Sequence, residues 1–304
     1  MLINKPHNLM QLRIQSLSKT YPNGVKALKN ISLTINQGMF GLLGPNGAGK
    51  SSLMRTIATL QEADEGSVFL DDLDVLKNKE QVRQILGYLP QDFGVYPRIS
   101  AEQMLDHIAQ LKGIGKKSER TALVSALLEK VNLSKDKKKN LGTYSGGMKQ
   151  RFGIAQALMG SPKLIIVDEP TAGLDPAERN RFYNLLSQIG ENTIVILSTH
   201  IVEDVRTLCS DFAIICEGEL MYTGQPDIAV SELEGKIYSK SIKKEDVMHY
   251  KENYNMISTQ LKGGTLNIRA YSETPLGDGF VVAPVILEDV YFSKIAEKVD
   301  VVTL

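Results

Sequence analysis

The stretch Gly44-Pro45-Asn46-Gly47-Ala48-Gly49-Lys50-Ser51-Ser52 constrains this chain more than any other. It matches G-x-x-x-x-G-K-[ST], and it lies between an apolar run, Met39-Phe40-Gly41-Leu42-Leu43, and a segment with Leu53, Ile57 and Leu60 at helical spacing. Strand, glycine-rich turn and helix in this order make a Walker A loop. Glycines let successive backbone N–H groups turn inward around phosphate oxygens, and the positive end of the following helix points at the same anion. In that arrangement Lys50 reaches the β- and γ-phosphates, Ser51 ligates Mg²⁺ and Ser52 lies near the α-phosphate.

A second motif supplies the acids such a loop needs. Leu164-Ile165-Ile166-Val167-Asp168-Glu169-Pro170 is a continuous apolar run ending in two carboxylates, the pattern of a strand buried on both faces of a parallel sheet. Acids are costly there unless they serve a ligand, and ligands of parallel sheets bind at the carboxyl edge. The run reads as a Walker B strand, with Asp168 on Mg²⁺ and Glu169 as general base for an attacking water. Another buried run, Thr193 to Thr199, ends at His200, which places that histidine at the same edge. His7, His107 and His249 have no such setting and read as surface residues.

The remaining order of elements can be followed along the chain. Residues 11 to 38 predict strand, turn and strand, with Tyr21-Pro22-Asn23-Gly24 as the turn. Taken alone, Tyr21 reads more readily as an aromatic capping a small sheet than as one that faces a ligand, since aromatics more often pack than bind. Gly66 to Asp71 predicts another strand, and Pro90 ends the run Ile85 to Leu89, so that Gln91 opens a loop extending through Asp92 to Ser100. Residues 101 to 131 show helical periodicity in two stripes, Met104-Leu105-Ile108-Leu111 and Leu123-Leu127-Leu128-Val131. Tyr144-Ser145-Gly146-Gly147-Met148 then opens a further helix, offering a second anion-binding helix end or a simple cap.

Composition narrows the partners. A formal net charge of zero over 304 residues argues against nucleic acid, which calls for a strongly basic face. The lysine clusters at 112–117 and 135–139 read as solvated loops. Two cysteines, Cys209 and Cys216, make neither a disulfide framework nor a metal knuckle. Met1 to Met10 lacks the apolar core of a signal peptide, and no apolar run approaches the roughly 20 residues of a membrane span, so a membrane role has to come through a partner.

Taken together, residues 11 to 224 resemble the nucleotide-binding subunit of ATP-binding cassette (ABC) transporters. The parts stand in the family's order: the aromatic Tyr21, Walker A, the Q-loop Gln91, a signature Ser145-Gly146-Gly147, Walker B with Glu169, a D-loop from Ala172 to Asp175, and the switch His200. Tyr144 and Met148 depart from the usual Leu-Ser-Gly-Gly-Gln signature. The resemblance implies an α/β P-loop NTPase: a RecA-like parallel-sheet core, an antiparallel β subdomain and a helical subdomain at about 92–160. Residues 225–304 predict a small α+β appendage.

In function, the resemblance implies ATP and Mg²⁺ as ligands, with Tyr21 stacked on adenine and Gln91 sensing the metal and the attacking water. It implies catalytic roles for Glu169, His200, Gln91 and Lys50, a head-to-tail dimer with a second cassette, and a separate transmembrane permease that holds the subunit at the cytoplasmic face. The Met-Lys-Gln-Arg continuation at 148–151 and Leu287-Glu288-Asp289-Val290-Tyr291 look like cassettes of export-type systems for drugs and antibiotics. The alternative is a soluble cassette ATPase of translation or DNA maintenance. Translation types carry two Walker A loops, and DNA-maintenance types insert a long coiled coil before Walker B; this chain shows one loop and no sustained heptads.

Overall fold

The computed structural model describes residues 10–91, 93–171 and 174–300, apart from the Lys262 side chain. The chain opens with β1 (Gln11–Thr20), β2 (Lys26–Asn36) and β3 (Gly38–Leu43), followed by α1 (Lys50–Ile57), β4 (Glu65–Leu70), β5 (Leu73–Asp74), α2 (Lys79–Ile85) and β6 (Leu86–Leu89). A helical stretch, α3 (Ala101–Leu111), α4 (Lys117–Lys130) and α5 (Gly146–Ala157), precedes β7 (Leu164–Asp168), α6 (Pro176–Gly190), β8 (Ile194–Thr199), α7 (Val202–Leu208), β9 (Asp211–Cys216) and β10 (Glu219–Gly224). The C-terminal part adds α8 (Pro226–Ser231), β11 (Ile237–Ile242), α9 (Val247–Asn253), β12 (Met256–Lys262), β13 (Thr265–Tyr271), β14 (Val281–Val282) and α10 (Leu287–Ile295).

Among the described residues the strands form three sheets. The central one runs β10-β9-β3-β8-β7-β6, with all neighbours parallel except β10 on β9. Its interior strands are buried on both faces, as the apolar runs require. Alternation then divides their side chains between two cores: Leu164, Ile166, Ile194 and Ile196 face the layer holding α1 and the antiparallel sheet, and Ile165, Val167, Val195 and Leu197 face the helices. The antiparallel sheet, β2-β1-β4-β5, rests on the first face.

Local chemistry sets the helix starts that matter for the site. Ser145 accepts from the Met148 amide at the head of α5, and Asp175 accepts from the Glu178 amide at the head of α6, where Pro176 takes the first helical position. The sequence expectation for α1 runs too long, because the helix ends at Ile57 and Leu60 is 59% exposed rather than part of the stripe. The stretch at 101–131 is two helices broken at 112–116, and Leu111 is exposed while Leu105 and Ala109 carry the packing. Lys112 is half-buried and donates to the carbonyls of Arg83 and Leu86, so it is a structural tie rather than a solvated charge. His107 and His249 are exposed as expected; His7 lies outside the described residues.

The C-terminal sheet, β12-β13-β11-β14, is antiparallel and has a core of its own, with Tyr250, Tyr254 and Phe280 in mutual ring contact. It is also tied to the rest of the chain. Helix α10 packs against α7, α8, β9, β10 and β12, and Leu287, Val290 and Ile295 join the helix-side core. No helix among the described residues is long and apolar enough to cross a membrane.

Candidate active site

Strand order brings the motifs together. The loop after β3, the exit of β7 and the exit of β8 open at one edge of the central sheet, with Leu42 and Asp168 both in register with Ser198. A cavity of about 750 Å³ lies there, lined by Tyr21, Asn46 to Ser52, Gln91, Glu169 and His200. The Walker A loop, Gln91, the Walker B acids and His200 therefore converge on one edge.

The loop is shaped by its glycines. Gly49 sits at φ 106°, and a Cβ there would lie 2.4 Å from the Ala27 carbonyl. Gly44 has an ordinary φ, yet a Cβ would meet the Ile215 carbonyl at 2.2 Å. Between them the Lys50 Nζ donates to the carbonyl oxygens of Gly44 at 2.6 Å and Pro45 at 3.1 Å, curling across the mouth of the loop. Burial pushes the pKa of this ammonium down, and the carboxylates of Glu169 and Asp168 oppose that shift.

The acids face the loop from β7. Ser51 Oγ donates to Asp168 Oδ2 at 3.4 Å, and burial raises the Asp168 pKa. Two hard oxygen donors beside a phosphate loop are the chemistry that suits Mg²⁺, and a buried carboxyl group gains most from a cation. Glu169 follows at φ 46°, an unusual conformation for a residue with a side chain, held in part by its amide bonded to the Ser198 carbonyl at 2.9 Å. Its carboxylate accepts from Gln91 Nε2 at 3.1 Å, and its other oxygen faces His200 Nδ1 at 3.1 Å. The Q-loop Gln91 and the switch His200 thus meet the Glu169 carboxylate from both sides.

Tyr21 lines the cavity, and its hydroxyl meets Ser52 Oγ and Gln61 Oε1, each at 3.0 Å, which ties the turn before β2 to the start of α1. Ser145, Gly146 and Gly147 stand apart from this cavity, at the exposed head of α5, and nothing lies within 4 Å of where a Gly146 Cβ would be. The departure at Tyr144 has a local reason: the ring meets Phe152 edge-on, and the hydroxyl donates to the Asp136 carbonyl at 2.9 Å. Burial pushes its pKa up to about 12. Of the predicted D-loop, Leu174 and Asp175 are described and Ala172 and Gly173 lie outside the described residues.

Sequence reasoning missed Lys26, Lys29 and Glu217, which also line the cavity. Glu217 follows β9, parallel to β3, so the topological rule about strand exits was the available signal. It also missed Glu178, which accepts from Arg181 Nη1 at 2.7 Å and from Arg151 Nη1, and so joins α6 to α5 beside Gly147. No spacing pattern marks that pair.

A parallel sheet with a glycine-rich loop on its central strand, and a carboxylate at the exit of the next strand but one, defines a P-loop nucleoside triphosphatase. The profile described as "ABC transporter" matches residues 28–172. The chain is 34% identical over 233 residues to the uncharacterized ABC transporter ATP-binding protein YxlF of Bacillus subtilis, covering 76% of this chain and 77% of that one. It is 37% identical over 229 residues to the linearmycin resistance ATP-binding protein LnrL of the same organism, covering 74% and 72%. Among solved structures, a dimeric ATP-binding cassette in a post-hydrolysis state bound to ADP and Pi matches with a TM-score of 0.65 at 26% identity, over 70% of this chain and 98% of that one. The chain belongs to the ATP-binding proteins of ABC transporters, and is an ATP-binding and ATP-hydrolysing cassette.

Proposed function

We propose that this cassette binds Mg-ATP at the sheet edge, closes head to tail on a second cassette, and drives a separate export permease at the cytoplasmic face of a membrane. The observation that carries the reading is the convergence of Gln91 and His200 on Glu169, across the cavity from Lys50 and Ser51. Lys50 leaves its two carbonyl partners for the β- and γ-phosphate oxygens, a better match for an ammonium whose charge burial disfavours. Tyr21 offers its ring to adenine while its hydroxyl keeps the turn docked on α1. Ser51 and Asp168 hold the metal, with Gln91 at its edge; when bound it neutralises charge on the phosphate oxygens.

Glu169 takes a proton from the water that attacks the γ-phosphorus, as the bond to the β–γ bridging oxygen breaks. Gln91 and His200 hold the carboxylate in place for that transfer. The exposed head of α5, with Ser145, Gly146 and Gly147, is available to the nucleotide of the opposing cassette, since it does not reach its own. The drug-resistance name carried by one relative, the linearmycin resistance protein, supports export as the direction. The domain reading follows the same lines: cassette to 224, and an accessory α+β unit from 225 that braces it through α10.

Mixing two inactive variants tests the head-to-tail arrangement with copies of this chain. Lys50→Ala disables one half of a site and Gly147→Asp the other, so a mixed dimer retains one intact site. Activity recovered on mixing, with ATP-dependent co-sedimentation on permease-containing membranes, supports the proposal. Mixtures as inactive as the separate variants would oppose it.

A further inference from the structure

A buried carboxylate behind the site has no place in the chemistry above. Asp204, on α7, is 0% exposed, and among the described residues no cation pairs with it. Hydroxyls from three separate segments donate to it instead. Thr171 Oγ1 reaches Oδ2 at 2.6 Å, Thr199 Oγ1 reaches the same oxygen at 3.1 Å, and the Tyr183 hydroxyl of α6 donates to Oδ1. Thr171 and Thr199 are each 1% exposed. Burial pushes the Tyr183 hydroxyl pKa up, and its hydrogen bond to Asp204 adds to the shift. A charge buried without a counter-ion is costly even when fully hydrogen-bonded, so a hydrophobic residue would serve simple packing better.

The partners show what the carboxylate holds. Thr171 stands two positions after Glu169, and Thr199 stands one position before His200. Thr199 Oγ1 also accepts from the Ile201 amide at 3.0 Å, closing a turn around His200. A single oxygen of Asp204 therefore fixes the separation between the exits of β7 and β8, from which the 3.1 Å contact between Glu169 and His200 departs. Glu169 is held at positive φ, a conformation that lasts only when its surroundings enforce it. Tyr183 adds α6, whose first turn is capped by Asp175.

We infer that Asp204 is a positioning residue for ATP hydrolysis, setting the Glu169–His200 pair through Thr171 and Thr199 without touching nucleotide. The inference rests on the reading of that pair as the hydrolytic one. Its sign in kinetics follows from the geometry: the phosphate loop is not attached to Asp204, so nucleotide affinity stays while the cleavage step suffers. A displacement on the order of 1 Å of a catalytic group costs about 10²-fold.

The test measures single-turnover ATP cleavage, equilibrium nucleotide affinity and melting temperature for Asp204→Asn and Thr199→Val, each alone and combined with His200→Ala. The expected result is cleavage slowed about 10- to 10²-fold with affinity within about twofold of wild type. In the His200→Ala background the same substitutions then cost less than about threefold, because the geometry they disturb is already lost. Should Asp204→Asn not fold, Thr199→Val, which keeps shape and removes one hydroxyl, carries the same expectation. Unchanged cleavage, or an undiminished loss in the His200→Ala background, would overturn the inference. Full cleavage by His200→Ala itself would instead remove the catalytic pair on which it rests.

Discussion

Replacing Glu169 by glutamine isolates the proton-transfer step from binding and folding. The two side chains have nearly the same volume, and glutamine adopts the φ of 46° at the same conformational cost, so the exit of β7 keeps its course. The amide oxygen still accepts from Gln91 Nε2, now 3.1 Å from the carboxylate. It cannot take a proton from water. Loss of a general base slows hydrolysis by about 10²–10⁴-fold, or about 2.7–5.4 kcal/mol of barrier at 1.36 kcal/mol per decade. Removing a negative charge beside a phosphate site does not weaken anion binding, so ATP affinity holds or rises. Rapid-quench measurement of labelled phosphate release, with fluorescent-nucleotide titration on the same preparation, separates the two quantities. Unaltered cleavage, or nucleotide affinity falling in step with the rate, would refute the reasoning.

Two further substitutions probe the loop and the metal side. Gly44→Ala forces a Cβ to 2.2 Å from the Ile215 carbonyl, so the loop has to shift against β9; nucleotide binding is lost and stability falls by about 1–3 kcal/mol, readable in parallel denaturant titrations. Asp168→Asn removes a carboxyl group whose pKa burial raises above its unfolded value. Its contribution to the stability of the nucleotide-free protein is full below the unfolded pKa and is lost as pH rises through the raised folded one. The variant therefore melts higher than wild type near neutral pH, the gap narrows in acid, and added Mg-ATP no longer raises its melting temperature. A pH-independent gap would contradict this.

The core of the fold was legible because its rules are local and strong. Unbroken apolar runs at 39–43, 164–167 and 194–197, each too short for a typical helix, read as strands covered on both faces, and the strands they form lead into Gly44, the acids Asp168 and Glu169, and His200. Strand order was not legible from spacing. That β8 lies between β3 and β7, so that His200 meets Glu169, is decided by long-range pairing. Helix ends failed where a hydrophobic residue continued the period without a surface to cover, as at Leu60 and Leu111. The polar hub of Asp204 left no trace, because three hydroxyls drawn from segments distant in sequence meet only after the sheet has formed.

Calorimetric titration of the purified chain with ATP, with and without Mg²⁺, asks whether the sheet edge is a Mg-ATP site. Saturation is expected at one nucleotide per chain, tighter with the metal, and abolished by Gly44→Ala. Heats no larger than dilution in both titrations would contradict it.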